Sequence, residues 1–190
     1  MYGWWKSKKI QKENAHRLHN ACVEKSRNPL FYKELGVPDT VEGRFEMLCL
    51  HASFIIEALY SMGRPTLAQA LFDVMFKDMD RNMREAGVGD LAVPRRMKAM
   101  MKDFKGRSFA YREAVLSGRV KEAVARNIGV EDELAKRQLS VYIIQSYAHV
   151  KKKDFDFFSG LIDNPHTLFL THDEIVGLIH EQDKQHRSAA

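Results

Sequence analysis

The residues able to do chemistry in this chain are a few histidines, a group of carboxylates and one long row of cations. A di-iron helical site needs Glu-x-x-His on two helices, so that carboxylate and imidazole share a face one turn apart. The chain does not supply that pair. The zinc-protease His-Glu-x-x-His, the Gly-x-Ser-x-Gly of serine hydrolases and the Gly-rich phosphate loop are also missing. Gly87-Val88-Gly89 gives only Gly-x-Gly with no strand before it, which does not make a dinucleotide fingerprint. His16, His19 and Cys22 come nearest to a ligand set, at helical spacing. They sit among lysines that repel a cation, and a stable site takes three or four well-placed donors. The expectation is therefore no metal, no organic cofactor and no catalysis. Asp73, Asp78 and Asp80 do not converge on a helical wheel. Asp73–Lys77 and Asp80–Arg84 instead have the spacing of ion pairs along a helix.

The cations are the stronger lead. Arg95, Lys98, Lys102 and Lys105 follow one another at helical spacing, with Arg96 beside them, and Asp103 is the one acid offsetting that row. Over residues 94–126, ten basic side chains face Asp103, Glu113 and Glu122. Such a row is either a solvated helix face or a docking surface for an acidic partner or RNA phosphates. A second feature is methionine: Met75, Met79, Met83, Met97, Met100 and Met101 fall on two consecutive helical segments. Flexible thioethers suit a surface that accepts varied partners, but they equally suit a hairpin buried on itself, and the second reading is preferred.

These residues need helices to position them. Phe45, Leu48, Ala52, Ile55 and Leu59 recur at intervals of three and four, which predicts a central buried helix over residues 40–62, entered through Asp39 and Glu42. Thr66 with Gln69 predicts a capped helix over 66–85, with Pro65 just outside it, and Phe72, Met75 and Met79 on its apolar face. Pro94 opens the cationic helix, which runs to Gly118. Further helices are predicted over 119–128 and 131–151, and from Thr171, boxed with Glu174, to about Lys184. No segment alternates with period two. The chain reads as all-α, a compact bundle of about six or seven helices. A basic N-terminal helical segment over residues 1–36 is expected to pack less fully than the domain over 37–190.

Composition fits. The chain has 190 residues, 45% hydrophobic and 29% charged, which suits one globular domain. Its net charge of +5 equals the surplus of seven basic over two acidic side chains in residues 1–28. Two cysteines, Cys22 and Cys49, are too few for a disulfide framework. The N-terminus lacks the order of a secretory signal, so the chain is expected in the cytoplasm or at the inner face of its membrane. Tyr2, Trp4 and Trp5 ahead of Lys6, Lys8 and Lys9 would suit a weak peripheral contact with a membrane interface.

Several stretches resemble the ubiquinol–cytochrome c chaperone family. The longest runs from Ala68 through Phe72-Asp73-Val74-Met75-Phe76-Lys77-Asp78-Met79-Asp80-Arg81 to Gly87-Val88-Gly89-Asp90-Leu91, then Val93-Pro94-Arg95-Arg96-Met97-Lys98. Phe31-Tyr32, Gly36-Val37-Pro38-Asp39-Thr40, Gly43-Arg44-Phe45-Glu46 and Phe104-Lys105-Gly106-Arg107 are similar as well. The likeness is strong from about Asn28 to Arg107 and thins towards Tyr147. It makes Asp73, Asp78, Asp80, Arg81, Gly87, Gly89 and Asp90 the family-motif residues. It implies an assembly factor for the respiratory ubiquinol–cytochrome c reductase, binding cytochrome b or an early intermediate, and not an enzyme. A second assembly protein and a ribosome contact are further partners of mitochondrial members; the chain itself looks like the bacterial form. The alternative is a small helical enzyme or ligand-binding protein whose pocket the sequence does not reveal.

Overall fold

In the computed structural model the chain forms α1 (Tyr2–Ser26), α2 (Pro29–Lys33), α3 (Val41–Ser61), α4 (Pro65–Glu85), α5 (Val93–Ser117), α6 (Val120–Asn127), α7 (Glu133–Lys151) and α8 (His172–Ala189). A short 3-10 turn, Pro165–Leu168, precedes α8. The structure describes residues 2–159 and 162–189, and the side chains of residues 8–159 and 162–185. Among the described residues there is no strand, as the periodicities predict. The side chains of Tyr2, Trp4, Trp5 and Lys6, expected at a membrane interface, lie outside the described residues. Among the described residues no helix is long and apolar enough to cross a membrane.

α3 is the hub, packed against α1, α4, α5 and α7. It buries Met47, Cys49, Leu50, Phe54, Ile55 and Leu59 around most of its circumference, as a helix enclosed by others must. The cap differs from the expected one. Thr40, not Asp39, accepts from the Gly43 amide (3.1 Å), because Asp39 is drawn to Arg44 Nε at 2.7 Å. Gly43 is required by close approach: a Cβ there would lie 2.0 Å from the Pro38 carbonyl oxygen. The α4 cap differs too. Pro65 takes the first helical position, where its fixed φ and missing N–H fit, so Thr66 lies inside the first turn and caps nothing. Gln69, released from that role, donates to Asp73 at 2.7 Å, in place of the expected Asp73–Lys77 pair. The Asp80–Arg84 pair forms at 2.8 Å. The Thr171–Glu174 box forms in both directions.

Over its described side chains, from Lys8 on, the N-terminal helix does not pack loosely, contrary to expectation. Ala15, Leu18, Ala21 and Cys22 are fully buried in the common core. Three of these side chains, Ala15, Ala21 and Cys22, are small, which suits the packing of α1 against α4 and α3. Polar bonds then tie α1 to the chain before α8: Ile162 N–H donates to Asn14 (2.8 Å), Arg17 donates to the Ile162 carbonyl (3.0 Å), and Lys25 donates to the Leu170 carbonyl. Burial pulls the Lys25 ammonium down to about 8.

Candidate functional site

α5 carries the cationic row on its outer face. Lys98, Lys102 and Lys105 are exposed, and at 100° per residue they share one narrow sector with Phe109, Arg112 and Leu116. Arg95 stands roughly 60° to one side. Arg96 is exposed but falls roughly 160° round the helix, so it is not part of the row. Among the described residues none of these five candidates makes an ion pair. Asp103, expected to offset the row, is turned the other way, 3.6 Å from Arg107 Nη1. The row is therefore unneutralised.

Beside it lies a groove of about 500 Å³ between α3, α4 and α5. Ile56, Phe72 and Phe104 make its apolar floor, and Phe109 (64% exposed) and Tyr60 (54%) stand at its mouth. Glu57, Lys105 and Arg112 supply its charges. Phe72 is half-buried, ring centroids 4.5 Å from Phe76 and 5.7 Å from Phe104. It is a groove residue as well as a hairpin residue. Met75, Met79 and Met97 are buried in the common core, so these three are not part of an exposed docking surface. A wider depression of about 610 Å³ along Asn20, Val23, Glu24 and Arg27 has no aromatic lining, and its two charges offset each other.

Most family-motif residues build the end of α4 and its turn. Asp78 accepts from Arg81 and Asn82 and lies 3.4 Å from His19 Nε2, joining α1 to α4. Arg84 bridges Asp80 and Asp90. Gly87 turns the chain out of α4 at φ +81°, and the Gly89 carbonyl accepts from Ala92 N–H at 2.8 Å. Asp73 is exposed and bonded to Gln69. His16, His19 and Cys22 are not brought together: His16 is exposed, His19 faces Asp78 and Cys22 lies in the core. Among the described residues no three potential ligands cluster.

Two buried polar groups have no individual sequence signal. Glu46 is 4% exposed and pairs with Arg107 across α3 and α5, bringing together two of the family-like stretches. Among the described residues its Oε2 has no hydrogen-bond partner, and burial, only partly opposed by Arg107, pushes the carboxyl up to about 7. His51 is fully buried. Its Nδ1–H donates to the Met47 carbonyl (2.7 Å), which leaves Nε2 to accept from Tyr142 (2.6 Å), and burial pulls the imidazole down to about 3. A substrate could not reach this pair, so it is a structural tie between α3 and α7.

These shifts have opposite signs in stability. The folded chain binds a proton on Glu46 at higher pH than the unfolded chain does. That contribution is present at low pH and is lost as pH rises through about 7. His51 must stay neutral, so acidification from 6.5 towards about 3 destabilises the fold. Glu46→Gln is expected to remove only the first effect. Between about pH 8 and about pH 5, wild type should gain Tm relative to the variant. A pH-independent difference in thermal melts would contradict the raised carboxyl.

Residues 33–160, from the end of α2 past α7, match the family described as ubiquinol-cytochrome C chaperone. Over 118 residues the chain is 24% identical to "Ubiquinol-cytochrome-c reductase complex assembly factor 1" of Xenopus laevis, covering 61% of this chain and 57% of that protein. The chain thus spans little more than half the length of the curated relative it matches. It is also similar to the crystal structure of the Cbp3 homolog from Brucella abortus, with 29% identity and a TM-score of 0.76, covering 90% of this chain and 96% of that one. The matched region holds α3 to α7, the groove and the whole cationic row, and with well over half its residues inside the match the chain belongs to the ubiquinol-cytochrome C chaperone family.

Proposed function

We propose that this protein is an assembly factor for the respiratory ubiquinol–cytochrome c reductase, and that it holds cytochrome b or an early assembly intermediate on the α3–α4–α5 face. The observation that carries this is the pairing of an apolar, aromatic-lined groove with a row of exposed, unneutralised cations on a chain of this family. Aromatic side chains at the mouth offer contact area, and the cations offer steering towards an acidic partner. The name of the Xenopus relative supports the same reading. The protein acts by binding and catalyses no reaction. Work at the inner face of the membrane suits a client that is inserted there, and a second assembly protein or the ribosome are further partners of the same class. The groove has one carboxylate and two cations, with no histidine or cysteine to act as base or nucleophile, which disfavours an enzyme.

The test is genetic and biochemical. Removing the gene is expected to lower reductase in native gels and reduced-haem spectra severalfold, with the other respiratory complexes unchanged, and re-expression of this chain should restore it. Normal reductase in the deletion strain would overturn the proposal.

A further inference from the structure

The wall of the groove holds a carboxylate of the chain itself. Glu57, on α3, keeps its side chain 21% exposed and gathers three groups onto Oε1. The Tyr147 hydroxyl donates at 2.5 Å, Arg112 Nε lies 3.6 Å away and Lys151 Nζ lies 4.0 Å away. Lys151 also donates to Ser61 Oγ at 2.9 Å. The Tyr147 contact alone is a hydrogen bond; 3.6 Å is too long for one, so Arg112 is held by charge without its donors being used. Its side chain is 51% exposed, and among the described residues its guanidinium has no hydrogen-bonded acceptor. Both Glu57 and Arg112 face the space floored by Phe72 and Phe104. Lys105, seven residues earlier on the same face, lines the groove too and has no ion partner among the described residues.

An open guanidinium fork beside aromatic rings matches one chemistry best, a carboxylate on an otherwise apolar segment, which the fork can take through two parallel bonds. We infer that Arg112 is the specificity-determining residue of the groove, taking the carboxylate of an apolar, acid-bearing polypeptide helix, and that Glu57 holds that place in the empty groove. The inference rests on the reading of the groove as the client-holding face. Exchange is easy because Glu57 keeps Tyr147 and Lys151 after Arg112 turns to the incoming acid. Arg112 and Lys105 are two helical turns apart, about 10 Å, so a helix with glutamates seven residues apart meets both. A polypeptide is favoured over RNA because the floor is apolar and the cations are few within the groove itself.

Fluorescence anisotropy on the full chain tests this with two labelled helical peptides of about 20 residues, identical in their Leu/Phe face. One carries two glutamates seven apart, the other glutamines. The acidic peptide is expected to bind wild type about tenfold more tightly than the glutamine peptide, the gain of one charge-assisted bidentate pair. Arg112→Gln should erase that preference and Arg112→Lys should restore only part of it. Glu57→Gln should tighten the acidic peptide alone; if that variant does not fold, the Arg112 variants decide. Equal binding of both peptides, weakened by Phe109→Ser, would overturn the carboxylate role while leaving the groove as a docking face. Failure of both peptides to bind would overturn the inference and the groove reading together. Displacement of the bound acidic peptide by an RNA oligonucleotide or by anionic lipid vesicles, with Arg112 required, would assign the site to phosphate and overturn it as well.

Discussion

Reversing Lys98, Lys102 and Lys105 to glutamate is expected to leave the fold intact and abolish reductase assembly. All three side chains are exposed and unpaired among the described residues, and such substitutions shift stability by about 0.5 kcal/mol or less each. The repulsion of a carboxylate at 102 with those at 98 and 105 adds only about 0.2–0.5 kcal/mol per pair. A large functional effect is expected because, on the proposed reading, the row would repel the acidic partner it attracts. Reductase level should fall to that of the deletion strain at normal abundance of the variant. Triple-alanine substitution should act more mildly and be partly rescued at low salt in a binding assay, since screening weakens what attraction remains. A well-folded triple-glutamate variant that supports normal reductase would make the row a solvated face.

His51→Ala should act by the opposite route, through stability. The imidazole is fully buried, and its removal leaves a cavity and takes away the acceptor of the Tyr142 hydroxyl, a loss of about 3–4 kcal/mol. For a chain of this size that corresponds to a fall in Tm of roughly 10 °C. Tyr142→Phe keeps the ring, which packs on Phe31 at 4.9 Å, and strands His51 Nε2, at about 1–3 kcal/mol. Because the two residues share one bond, the double variant should lose less than the sum of the singles. Denaturant titration of the four proteins checks this. Strict additivity, or a His51→Ala loss below about 1 kcal/mol, would contradict the tie. Function should fall with protein level and not with affinity.

The cationic row was legible because every member lies on one helix, where spacing alone fixes the face. The groove was not, since Glu57, Phe72 and Arg112 come from three helices and no local pattern says which will meet. Arg107 shows the same gap: it pairs with Glu46 of α3 from α5, a contact that no local spacing announces. The packing of α1 was hidden because Ala15, Ala21 and Cys22 carry little apolar area, yet all three are fully buried in the common core. α2 was missed although Asn28-Pro29 spells an N-cap and first helical position; the Asn28 side chain accepts from Leu30 N–H at 3.0 Å. Its five residues are too few to show a period.

The most direct test of the central claim is affinity isolation of the tagged chain from native membranes, with mass spectrometry of what it holds. Wild type is expected to retain a subunit of the ubiquinol–cytochrome c reductase, cytochrome b foremost, and the triple-glutamate variant at equal abundance to lose it. Retention of no reductase subunit by wild type, or equal retention by both proteins, would contradict the account.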